Sequence, residues 1–255
     1  MALNALPDRS DTTTWQRLGW SSTIVLHLVP AAITFAAALV LAPVMEWLHL
    51  PPSFALTVAF ALVLTPLELG FLLRAAHRVT GRWSLRALPA VLAYRRPLGR
   101  WALLVPALFG FAVVLLIALT PVSDALGGHL AGLYPHWLLP DYDPAKAGFS
   151  KTVLVATLLV TLLVDGVINP TVEECYFRAY LLPRLPVPGW RAVPLSAGLF
   201  AVQHYWQPQN WLLIFVLELV LTTLVRKLKS VRLSIVMHVL VNSFGTVAAL
   251  VAVLN

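Results

Sequence analysis

The sequence predicts an all-α fold, a polytopic transmembrane helical bundle of about seven spans. Three observations predict it. Hydrophobic residues make up 59% of the 255-residue chain and charged residues only 11%, against about 45–50% apolar and about 25% charged in soluble domains. The mean hydropathy is +0.82. The apolar residues fall in blocks of about 20, the length of a helix that crosses a bilayer. Together these exclude a disordered chain, a coiled coil, a disulfide scaffold and an ordinary soluble enzyme.

The first span is expected at about 22–46. Residues 1–20 are polar and include Asp8, Arg9, Asp11 and Arg17, and the apolar run behind them is longer than the core of a cleavable signal. The segment therefore reads as a retained span. The second and third spans are expected at about 53–74 and 101–121. Seven arginines, from Arg74 to Arg100, crowd the connection between them. Within it, residues 80–98 mix arginines with Trp83, Leu85, Leu88, Val91 and Tyr94, a pattern open to two readings. It fits an amphipathic segment on the membrane surface, and it fits a plain loop. The next connection, 122–150, carries Asp124, Asp141 and Asp143, with an aromatic anchor of Tyr134 and Trp137.

The fourth apolar stretch, 151–182, would be about 48 Å long as one straight helix, so Asn169-Pro170 is expected to break or kink it. The last three spans are expected at about 191–206, 210–226 and 233–253. Arg184 and Arg191 follow the fourth span, and Arg226, Lys227, Lys229 and Arg232 lie between the sixth and seventh. Positive charge gathers on cytoplasmic loops. This puts the N-terminus in the cytoplasm and the C-terminus outside, with every basic loop inside. The net charge of +7 is thereby explained without a nucleic-acid partner, for which no motif is present. Arginine far outnumbers lysine, which hints at a GC-rich bacterial genome and so at a bacterial plasma membrane. The absence of an internal repeat counts against a repeat-built transporter.

Ionisable groups inside a span cost roughly 2.5–3.5 kcal/mol each on insertion scales and are functional suspects by default. They gather in the second half: Asp165, Glu173, Glu174 and Arg178 in span four, His204 in span five, Glu218 in span six, His238 and Asn242 in span seven. The early spans are cleaner, apart from His27, Glu46 and Glu68. Glu174 and Arg178 stand four apart in the favourable order for an ion pair. Glu173 points away and lacks that partner. A carboxylate partly desolvated in a cavity can serve as a general base near neutral pH. A bland alternative is a capping box, Thr171 to Glu174, restarting the helix after Pro170; it leaves Arg178 and the histidines unexplained. His204, beside Tyr205 and Trp206, fits an interfacial residue when taken alone. His238 and Asn242 share a helix face and can donate to one point, as an oxyanion requires; a polar interhelical contact is the alternative. Asp165, Asn169 and Glu173 repeat at every fourth position, a polar stripe that can admit water.

The segments E-E-C-Y-F-R (173–178), F-A-V-Q-H (200–204) and H-V-L-V-N (238–242) resemble the three motifs of the CAAX-protease and bacteriocin-processing family of intramembrane proteases: E-E-x-x-x-R, F-x-x-x-H and H-x-x-x-N. The resemblance covers roughly residues 150–253 and marks 151–255 as a catalytic core, with 1–150 as N-terminal spans and a basic loop. It implies an intramembrane endopeptidase whose active site lies among the last four spans. Glu173 and His204 would activate water, His238 and Asn242 would steady the oxyanion, and Glu174 and Arg178 would support the site. The substrate would be a membrane-associated or lipidated peptide or protein. Glu173 lies about 15 Å from the cytoplasmic end of its helix, which suits approach from the cytoplasmic side. Two positions depart from the family pattern. Ala179 stands where glycine often follows the arginine, and Glu218 and Thr222 stand near positions that often carry small residues. Glu218 is expected to pair with a buried base or to line the substrate path.

Glu173, His204 and His238 could also hold zinc with one position open for water. No H-E-x-x-H helix accompanies them, and Cys175 is the only cysteine, so no metal and no other cofactor is expected. A non-proteolytic membrane protein that binds a partner or confers bacteriocin immunity is the alternative within the family. A proton-coupled transporter is the alternative outside it.

Overall fold

The computed structural model describes residues 15–139 and 141–255; the polar leader with Asp8, Arg9 and Asp11 lies outside the described residues. Among the described residues seven main helical rods follow in order: α1 (Trp20–Trp47), α2 (Phe54–Thr80), α3 (Gly99–Leu130), α4 (Lys151–Arg184), α5 (Ala192–Val202), α6 (Trp211–Leu228) and α7 (Arg232–Leu254). No strand occurs among the described residues. Five of the rods, α1 to α4 and α7, are long and apolar enough to cross a membrane. The expected count of seven crossings is not confirmed by length and composition. Helix α5 has only 11 residues and rises about 16 Å, half of a bilayer core of about 30 Å. Helix α6 packs back against it and carries Glu218, Arg226 and Lys227. This is an integral membrane protein with a helical hairpin beside its long spans.

Helix α1 shows how such a bundle is held. Its buried residues, Thr23, His27, Ala31, Thr34, Ala38, Ala42 and Met45, recur every three or four positions. Most are small, which lets neighbouring backbones approach where lipid offers no hydrophobic drive. The hydroxyls of Thr23 and Thr34 donate to the carbonyls of Gly19 and Pro30 on their own helix. The outward Ile24, Ile33 and Val40 are apolar and exposed. Helix α2 stops where Gly81 takes a left-handed φ of 71° and donates to the His77 carbonyl at 2.7 Å, a glycine C-cap.

Helix α4 is not broken at Pro170. The helix widens to a π turn over Val164–Ile168 and continues. In that turn the Asn169 N–H reaches back to the Val164 carbonyl, and Pro170 has no N–H to give. The carbonyls of Asp165 and Gly166 are left over, and both find donors on α7. Asn242 Nδ2 donates to Asp165 O at 3.1 Å, and Ser243 Oγ donates to Gly166 O at 3.2 Å. Gly166 permits the close approach, since a Cβ there would lie 2.9 Å from Ser243 Oγ. Neighbouring side chains commonly resatisfy backbone groups freed by proline within membranes.

The arginine-rich connection is partly exposed and partly a buried strap. Trp83 and Leu85 are exposed, but Val91, Leu92, Ala93 and Tyr94 are buried within the protein. The strap crosses the end of α4, where Ala93 N–H donates to Ala179 O and Arg184 donates to Val91 O, both at 2.9 Å. It also ties to the α6–α7 turn: Val231 N–H donates to Tyr94 O at 2.7 Å and Arg96 N–H to Lys229 O at 3.0 Å. Tyr94 and Lys229 both sit at left-handed φ, 55° and 56°, a conformation that such residues hold only when the surroundings enforce it. One hydrophobic cluster joins Leu72, Ala76 and the strap to Tyr176, Phe177, Phe200 and Val225. The early helices are thus packed against the helices that carry the motifs.

Candidate active site

The three motif segments meet at one place. Glu173 and Glu174 lie on α4 at the junction of an α turn and a second π segment. Their neighbours differ. Glu174 is fully buried and pairs with Arg178 at 3.4 Å, as the four-residue spacing predicts. Arg178 also bonds Glu218 of α6, and its guanidinium stacks 3.7 Å from the centre of the Phe200 ring. One cation is thereby enclosed by two carboxylates and an aromatic face, the arrangement that makes a buried charge tolerable. Glu218 pairs with a buried base, Arg178, and also lines the cavity described below.

His238 of α7 bridges the two glutamates. Its Nδ1 is 3.0 Å from Glu174 Oε1, and its Nε2 is 3.7 Å from Glu173 Oε2. The other oxygen of Glu173, Oε1, has no hydrogen-bond partner among the described residues. His204 is buried rather than interfacial. Its Nδ1 is 2.7 Å from the Phe200 carbonyl. A carbonyl only accepts, so Nδ1 carries the proton, and in the neutral ring Nε2 holds the free lone pair. Trp206 packs 5.1 Å from the ring, and Trp211 donates to the His204 carbonyl at 3.1 Å. The shortness of α5 sets the depth of His204, because a full-length span would have carried it past the level of Glu173.

A cavity of about 440 Å³ opens in front of this group. Glu173, His204, His238 and Asn242 all line it, from α4, the end of α5 and α7. Glu174 and Arg178 do not; they stand behind. The stripe of Asp165, Asn169 and Glu173 lies along its floor, extended by Thr161. Its walls are apolar, with Leu108 and Phe111 from α3 and Leu221 and Val241 from α6 and α7. From Glu173 the stripe runs toward the N-terminal end of α4, away from the strap. Among the described residues no three His, Cys, Asp or Glu side chains are grouped to hold a metal ion.

Some participants escaped the sequence reading. Thr57 Oγ1 donates to Asp165 Oδ2 and Thr65 Oγ1 to Asn169 Oδ1, each at 2.9 Å, so α2 fixes the stripe from behind. The two threonines are eight apart on one helix face, a signal that periodicity could have revealed. Glu68 is completely buried with both oxygens unpaired, within electrostatic reach of Glu173, Glu174 and Arg178. It was visible only as a charge in an apolar run.

Residues 155–244 match the family model described as Rce1-like, type II CAAX prenyl endopeptidase. The matched segment contains all three motifs, and the family matched is the one that the motifs resemble. No curated protein and no solved structure matches the chain.

Proposed function

We propose that this chain is a CAAX-type intramembrane endopeptidase of the glutamate type. The observation that carries the reading is the cavity that gathers Glu173, His204, His238 and Asn242 from three separated segments while leaving Glu174 and Arg178 behind. The family match supports the activity class. In the reaction, His204 Nε2 accepts a hydrogen bond from water and Glu173 takes its proton as the oxygen attacks the scissile carbonyl. His238 and the second N–H of Asn242 donate to the oxyanion. Collapse breaks the C–N bond, and Glu173 returns the proton to the leaving amine. Glu174 and Arg178 hold His238 and Glu173 in place.

The apolar walls suit a membrane-associated or lipidated peptide. By the charge distribution of the loops the N-terminus is cytoplasmic and the C-terminus outside, in a bacterial plasma membrane. The depth of Glu173 favoured approach from the cytoplasmic side. Approach from the cytoplasmic side stays our reading; the strap packs on Ala179 at that end of α4, and the cavity extends from Glu173 along Asn169, Asp165 and Thr161, which we assign as the lane that holds the substrate. No metal enters this mechanism: activity is expected to survive a chelator, and a loss restored by zinc would overturn that assignment.

The test is a comparison of new protein termini in membranes carrying the wild type and Glu173→Gln. Peptide ends present only with the wild type are expected and would reveal the substrate as well. Identical termini, with the variant folded and inserted, would turn the reading to a partner-binding or immunity protein.

A further inference from the structure

Three carboxylates line the cavity, and two have cationic or imidazole partners. Glu218 bonds Arg178, and Glu173 faces His238 at 3.7 Å. Asp165 is the exception. Thr57 donates to its Oδ2, but Oδ1 is buried with no hydrogen-bond partner among the described residues. Among the described residues no lysine or arginine lines the cavity. An interhelical contact accounts for Oδ2 and for the main-chain carbonyl taken by Asn242. It does not account for Oδ1, because a buried carboxylate oxygen without a partner costs stability. A group placed in the lane could supply what is missing.

We propose that Asp165 forms a subsite for a basic side chain of the substrate, set a fixed distance from the bond that is cut. The proposal deepens the protease reading and rests on it. Asp165 and Glu173 are eight residues apart on one helix face, about 12 Å by helical rise. An extended peptide advances about 3.3 Å per residue. The lysine or arginine therefore sits three or four residues from the scissile bond, on one side of it only. Its alkyl stem lies against the apolar walls, and its charged head meets Oδ1, the way long basic side chains use amphipathic surroundings. Asn169 lies between the two carboxylates, with its carbonyl oxygen held by Thr65 and its amide directed to Glu173.

The experiment uses the full-length protein in detergent and a pool of apolar peptides in which one lysine, or norleucine as its uncharged counterpart, is walked through every position. The wild type is expected to cut the peptide with lysine three or four residues from the cleavage point at least tenfold more efficiently than its norleucine partner, through KM. Asp165→Asn is expected to bring that ratio to within twofold. Asp165→Glu keeps the charge and should keep a preference for lysine, which separates the subsite from a folding defect. Cleavage by the wild type without charge preference would overturn the subsite and leave the protease reading standing. A preference that persists in Asp165→Asn would likewise overturn it. Binding of the same peptides to Glu173→Gln is measured in parallel. Tighter binding of the lysine peptide, lost on adding Asp165→Asn, in a protein whose wild type cuts nothing, would uphold the subsite and sink the protease reading instead.

Discussion

Helix α4 has two faces, and they are built on opposite rules. On the far side of the cavity, Glu174, Arg178 and Glu218 form a charge-paired set: one guanidinium, two carboxylates and the Phe200 ring, with Glu174 and Arg178 fully buried. On the cavity side, Asp165 and Glu173 each keep an oxygen without a hydrogen-bond partner. The adjacent residues Glu173 and Glu174 belong one to each face. A charge-compensated network fixes shape even though Glu174 Oε2 and Arg178 Nε have no hydrogen-bond partner among the described residues, whereas carboxylates that meet no arginine or lysine are left for a ligand or a water. The difference teaches that the first motif joins two tasks in two consecutive letters, and that each can be broken separately.

The largest expected effect is on the cavity side. Glu173→Gln should lower cleavage by about 10²–10⁴-fold, the range for loss of a general base. It should do so without a matching loss of thermal stability, because His238 keeps its contact with Glu174 at 3.0 Å. Peptide cleavage and unfolding midpoints in detergent measure the two quantities. Arg178→Met should do the reverse. It strands Glu218 and leaves Glu174 with His238 alone, and removing one partner of a buried pair costs about 3–5 kcal/mol. A low yield of folded protein is expected, eased when Glu218→Gln is added. Arg178→Met protein of wild-type stability would erase the distinction between the faces.

Asn242 sharpens the comparison because it has two tasks on the cavity face. It clamps Asp165 O, while Ser243 clamps Gly166 O. The two clamps are equivalent in the fold, and each should be worth about 0.6–2 kcal/mol. Only Asn242 lines the cavity. Asn242→Ala should therefore lose a further factor of about 10²–10³ in kcat, the usual cost of one oxyanion donor, beyond anything that Ser243→Ala loses. Equal losses in the two variants would reduce Asn242 to a clamp.

Much of this arrangement was legible in the sequence, and for a physical reason. A charge in an apolar helix is costly, so Glu173, Glu174, Arg178, His204 and His238 stand out against leucine and valine. Pairing at helical spacing was legible too, and Glu174 meets Arg178. Contacts across the bundle were not. Glu218 reaches Arg178 over 40 residues of chain, and no local pattern encodes which helix faces which. Nor was the length of α5. The run 191–206 reads as a span by hydropathy, yet the helix stops at Val202, and Trp206 turns in to line the cavity. Apolar side chains look the same whether they meet lipid or protein, and the buried half of the 80–98 connection was hidden by the same ambiguity.

The smallest expected effect tests how firmly the cavity face is held from behind. Thr65 makes one hydrogen bond, to Asn169 Oδ1. Polar contacts between membrane helices average about 0.6 kcal/mol and reach about 1.7, because the unfolded chain in the bilayer also finds partners. Thr65→Val preserves shape and should shift the unfolding free energy by about that average, several-fold less than Arg178→Met. Thr57→Val removes a hydroxyl that reaches both Thr161 and Asp165, so its cost should be the larger of the two threonine variants. Both are read from denaturant midpoints in one detergent. If either variant matched the cost of Arg178→Met, the stripe would be as tightly built as the ion-pair network, and its open oxygens would be a by-product of packing rather than places kept for substrate.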